Sequence, residues 1–75
     1  MREHETVVLR TDVPEFGLRV GDVGTIVMVH GDPAGYEVEF LTLDGDTVAV
    51  VSLSPERLRP LGRREIAQAR TLEIG

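Results

Sequence analysis

Seventy-five residues make one domain, and with no cysteine it carries neither a disulfide nor a thiolate metal site. The charged start Met1-Arg2-Glu3-His4-Glu5 is not a signal peptide, and no apolar run approaches the ~18 residues of a membrane span, so a cytoplasmic protein with no membrane association is expected. The net charge of −5 divides unevenly: residues 1–56 hold eleven acids against three arginines, and residues 57–75 hold five arginines against two acids. An acidic body repels phosphate backbones, which speaks against nucleic acid as the partner.

Thr6-Val7-Val8-Leu9-Arg10 is β-branched and predicts a first strand. The proline and glycine of Asp12-Val13-Pro14-Glu15-Phe16-Gly17 predict a loop, and Gly21-Asp22 a turn. Val23-Gly24-Thr25-Ile26-Val27-Met28-Val29-His30 is the longest β-prone run, with Gly24 marking a bulge or a close backbone approach. After the turn Gly31–Gly35, Tyr36-Glu37-Val38-Glu39-Phe40 alternates, which sends the aromatics and Val38 to one face and both glutamates to the other. Asp44-Gly45 predicts a hairpin leading into Thr47–Val51, whose Val48–Val51 stretch is apolar on both faces. Ser54-Pro55-Glu56-Arg57 predicts one helical turn, capped by Ser54 with Pro55 at its first position. Leu58-Arg59-Pro60 completes the sheet.

These elements predict an all-β fold: a small SH3-like barrel of about five strands over residues 1–61, with a single helical turn before the last strand. Residues 62–75 form a basic C-terminal tail, read as flexible or as a short helix, with Ile66, Leu72 and Ile74 as its only large apolar side chains.

No catalytic, cofactor-binding or metal site is expected. His4 and His30 are far apart, and a metal would need both plus a carboxylate such as Asp32. Asp44 and Asp46 are explained by turn chemistry, and Ser52 and Ser54 have no histidine nearby in sequence. Neither glycine pair has the lysine and following helix of a phosphate loop. With Tyr36 and Phe40 turned inward, no aromatic groove is left for proline-rich peptides or for stacking bases. The remaining candidates are partner contacts: the acidic pair Glu37 and Glu39, the cluster Arg57, Arg59, Arg63 and Arg64, and the apolar Ile66 and Leu72.

The segments Leu18-x-Val20-Gly21-Asp22-Val23-Gly24-Thr25-Ile26-Val27, Tyr36-x-Val38-x-Phe40 and Leu53-x-Pro55-x-x-Leu58-Arg59-Pro60 together resemble an uncharacterised family of short bacterial proteins thought to be SH3-like barrels. The resemblance spans Thr6 to Pro60. More distantly, the Gly-Asp-x-Gly-Thr-Ile-Val element resembles KOW-type barrels and the barrel of nitrile hydratase β subunits and their accessory proteins. It implies the fold, no catalytic residues, and action beside another small protein, for instance as an antitoxin.

The expected function is therefore a non-enzymatic protein-interaction module, antitoxin-like or accessory to a neighbouring protein partner. The alternatives are a KOW-like RNA- or ribosome-associated barrel and an accessory subunit of a larger enzyme. A homo-oligomer is a further expectation, through the tail or the Val48–Val51 strand.

Overall fold

The computed structural model describes residues 1–31 and 34–72. Five strands form where β-branched and aromatic residues concentrate: β1 (Thr6–Leu9), β2 (Val23–His30), β3 (Gly35–Leu41), β4 (Thr47–Leu53) and β5 (Leu58–Pro60). All pairings are antiparallel, in the order β4-β3-β2-β1-β5. Two 3-10 turns, Pro14–Phe16 and Pro55–Arg57, complete the regular structure of the described residues. Each has proline at its start, where a missing N–H costs nothing.

One cluster holds the core: Val7 and Leu9 of β1, Ile26 of β2, Val38 and Phe40 of β3, Ala49, Val51 and Leu53 of β4, Leu58 of β5, and Val13 and Leu18 from the β1–β2 loop. In a flat sheet β4 and β5 would lie about 19 Å apart, four strand spacings. Both edges nevertheless feed the same cluster, so the sheet curls around it. The result is the small SH3-like barrel expected from the sequence, open between β4 and β5.

Register explains which side chains reach the core. Tyr36, Val38 and Phe40 face inward as their alternation predicts, and Glu37 and Glu39 face outward. Two bulges break the period of 2. In β2 the pairing jumps from Ile26↔Val38 to Met28↔Glu37, so Val27 is the extra residue and Met28 turns outward beside Glu37. In β4, Phe40 pairs Ala49 but Leu41 pairs Thr47, so Val48 is extra and packs against the core from a bulge. The two-sided apolar character of β4 is thus a bulged Val48, an inward Ala49 and Val51, and an outward, half-exposed Val50.

Gly24 marks the close approach, since it is buried against β3. Ser54 departs from expectation. Its backbone is extended and starts the turn, but its side chain makes no cap hydrogen bond. The turn is closed instead by the Arg57 N–H donating to the Ser54 carbonyl at 3.1 Å.

After β5 the Leu61 N–H donates to the Thr6 carbonyl at 3.2 Å. Residues 62–72 then form no helix, and Ile74 lies outside the described residues. Arg59 pairs across from Val8 and so shares its outer face, and Arg59 holds Glu65. Further on, Arg70 reaches Asp22, whose carbonyl accepts the Leu9 N–H. The tail therefore runs along β1 from its Thr6 end to its Leu9 end. On that strand Val8, absent from the core cluster, is only 3% exposed.

Candidate interaction surface

The outer face of β2, β3 and β4 carries the acidic pair. Cross-strand register sets Glu37 between Met28 and Ser52, and Glu39 between Thr25 and Val50. Both carboxylates are held. The Glu37 carboxylate accepts the Ser52 hydroxyl and lies 2.8 Å from His30 Nε2. The Thr47 hydroxyl donates to Glu39 Oε2 at 2.9 Å. The Ser52 hydroxyl, followed by His30, lowers the Glu37 pKa below the usual glutamate value. Around the pair stand half-exposed Met28, Val50 and Leu41.

The sequence gives no hint that Ser52, Glu37 and His30 meet, because 15 and 7 residues separate them. Their order matters chemically. The Ser52 hydroxyl and His30 Nε2 both meet one oxygen of Glu37, Oε2, so in this arrangement the carboxylate is the group that both side chains bind. Nucleophile activation needs the base on the hydroxyl, with the carboxylate behind it. Among the described residues no three His, Cys, Asp or Glu side chains converge as metal ligands. His4 lies 3.7 Å from the exposed Glu3 carboxylate. Asp32, the third partner considered for a metal, lies outside the described residues.

The arginine cluster separates into two kinds. Arg57 Nε donates to the Thr11 hydroxyl and its Nη2 to the Asp12 carbonyl, both at 2.9 Å, which ties the second 3-10 turn to the β1–β2 loop. Arg59 makes a bidentate pair with Glu65, both contacts at 2.6 Å. Arg63 and Arg64 are exposed and make no hydrogen bond or ion pair among the described residues. Between the tail's two anchors Ile66 is 94% exposed, whereas Leu72 is partly buried.

The residue that sequence reasoning missed is Arg70. Its guanidinium binds Asp22, 48 positions away, and the Gly17 carbonyl. An arginine in a run of small residues and an aspartate in a turn carry no signal that they pair.

Phe40 is buried, Tyr36 packs partly against the core, and Phe16 is half-exposed on the β1–β2 loop, so these three line no common groove. The β3–β4 tip is held by turn bonds: the Thr42 hydroxyl to Asp44, and the Thr42 N–H to the Asp46 carbonyl at 2.8 Å, around Gly45 at φ +95°. Among the described residues no helix is long and apolar enough to cross a membrane.

No curated protein and no solved structure matches the chain. A family model does match residues 3–60, from just before β1 to the last residue of β5, and leaves the tail outside it. That span contains the whole core cluster, and on it the chain belongs to the family described as a domain of unknown function, DUF4926.

Proposed function

We propose that the chain is a non-enzymatic protein-interaction module that docks a basic partner protein on the outer face of β2, β3 and β4. The observation that carries this reading is the fixed acidic pair, Glu37 bound by Ser52 and His30 and Glu39 by Thr47, set beside half-exposed Met28 and Val50. Side chains already held in one rotamer lose little entropy on binding, and carboxylates beside apolar surface gain strength once water is excluded. An accessory or antitoxin-like role towards a neighbouring protein is the form this takes.

The Ser52–Glu37–His30 order supports this reading over a hydrolytic one, because the carboxylate stands between the hydroxyl and the imidazole. The RNA alternative is weakened because two arginines of the cluster, Arg57 and Arg59, are spent on internal contacts, which leaves Arg63 and Arg64 of that cluster for phosphates. The test is co-purification from the native host at increasing salt, with the wild-type chain and with Glu37→Gln/Glu39→Gln. The wild-type chain is expected to hold a basic protein, and the double variant to lose roughly tenfold in affinity. A partner bound equally by both chains, or held without loss at high salt, overturns the reading.

A further inference from the structure

The β1–β2 loop receives a guanidinium. Arg70 Nε lies 2.9 Å from Asp22 Oδ1 and Nη2 2.5 Å from Asp22 Oδ2, so one guanidinium fork takes both carboxylate oxygens. Nη2 also donates to the Gly17 carbonyl at 3.0 Å. That carbonyl is aimed by the left-handed conformation of Gly17, φ 70° and ψ 18°, which glycine adopts without strain. Asp22 is fixed from its own side as well, because its Oδ2 accepts the Arg19 N–H at 2.8 Å. The Asp22 side chain is 18% exposed and that of Arg70 30%, and Arg70 lines a depression with Asp12, Pro14, Gly17, Leu18 and Arg19.

Every receiving group belongs to the family domain, and the group received belongs to the tail outside it. Among the described residues no backbone hydrogen bond ties 62–72 to the barrel. Ala67, Gln68, Ala69 and Thr71 are exposed, so the tail is held here by the Arg70 side chain and the partly buried Leu72. An occupant held through side chains, with no backbone pairing to the barrel among the described residues, is exchangeable. Two carboxylate oxygens and a carbonyl around a planar cation also suit arginine over lysine, whose ammonium is a point charge without the fork.

We propose that the Gly17–Asp22 loop is an arginine-binding site, filled at rest by the chain's own Arg70, and that an extended arginine-bearing segment of a partner protein takes Arg70's place. It is separate from the Glu37/Glu39 face. It rests on the interaction-module reading only for the source of the incoming arginine. The tether from Pro60 to Arg70 gives the tail an effective concentration in the millimolar range, against which the partner competes.

The experiment titrates a labelled peptide, blocked at both ends and with the sequence of residues 68–72, into the full chain. The proteins are the wild type, Arg70→Ala, and Arg70→Ala/Asp22→Asn. Amide spectra report folding and the place of binding. Removing the internal competitor is expected to tighten peptide binding roughly tenfold. The shifts should fall on Gly17–Val23, and the further loss of Asp22 should abolish them. A peptide with lysine in place of arginine should bind Arg70→Ala several-fold more weakly. Equal affinity of wild type and Arg70→Ala overturns the proposal, as does equal affinity for the lysine peptide or binding that maps elsewhere. If Asp22→Asn unfolds the chain, the arginine-against-lysine comparison on Arg70→Ala still decides. The peptide needs no natural partner, so a failed co-purification and a failed arginine site are distinguishable.

Discussion

At Gly24 the fold leaves room for a hydrogen atom and little more. A Cβ there would stand 2.7 Å from Val38 Cγ1, 2.9 Å from Phe40 Cε1 and 3.0 Å from the Glu39 carbonyl. The first two belong to buried core side chains, and the third to a backbone locked in the Thr25↔Glu39 pairing. None can retreat cheaply. Gly24→Ala is therefore expected to cost about 1–3 kcal/mol of overpacking, a large share of the ~3–5 kcal/mol a core of this size supplies. Gly31→Ala meets nothing within 4 Å and is expected to stay within about 0.5 kcal/mol of wild type. Urea unfolding of the two variants checks this, and equal midpoints would refute the close approach. The role of Gly24 was legible because glycine weakens a strand, so one inside a β-branched run marks either a bulge or a neighbour too close for a side chain. The bulge at Val27 was not, since a valine reads the same paired or extra. Ser54 shows the opposite error: its residue type fits a cap, yet a single 3-10 turn closed by backbone hydrogen bonds does not need one.

Among the elements, the strands were legible and the tail was not. Tyr36–Phe40 alternates because one face is buried and the other is wet, and that pattern survives any tertiary context. The tail has helix formers but no wide apolar stripe, and two ionic anchors hold it, Arg59–Glu65 six residues apart and Arg70–Asp22 forty-eight apart. The Arg59 guanidinium and the Gly62 N–H hold the Glu65 carboxyl down at about 2. For Asp22, burial pushes the carboxyl up, but the Arg70 hydrogen bonds, the Arg19 N–H and the two guanidinium charges outweigh it and leave the value lowered. Both folded-state values are depressed. Their contribution is therefore fully present above the ordinary carboxylate range and is lost as pH falls through the lowered values. On acidification the amide and arginine Nε–H signals of 59–72 should hold steady from pH 7 to about pH 4. They should then move as Asp22 and Glu65 protonate, the latter near pH 2. Tail signals that shift instead around pH 6, where histidine titrates, would refute the two anchors.

On the scale of the whole molecule, the split between acidic body and basic tail is visible in the chain itself, and the last strand ends at Pro60. Strand order is not, because whether a strand lies inside or at an edge depends on contacts far apart in sequence. That order leaves β5 and β4 as edges with different protection. β5 has three residues, one of them arginine and the last proline. β4 has seven, Thr-Val-Ala-Val-Val-Ser-Leu, with no charge and no proline, and its bulge at Val48 is the one irregularity. Long uncharged edges template the addition of further strands. The shared negative charge opposes such pairing of two copies, and composition places its loss near pH 4.8. Light scattering is expected to peak there. Val50→Lys, on the edge strand, should suppress the peak. Leu43→Lys, which makes the same charge change on the fully exposed hairpin tip, should only displace it. Equal behaviour of the two variants would rule out β4 as the adhesive element. On this prediction the net charge and the uncharged β4 edge oppose each other, and pH and counterions set the balance between them. Were a basic protein to settle on Glu37 and Glu39 as proposed, it would neutralise charge one strand away from that edge and so remove the repulsion that guards it.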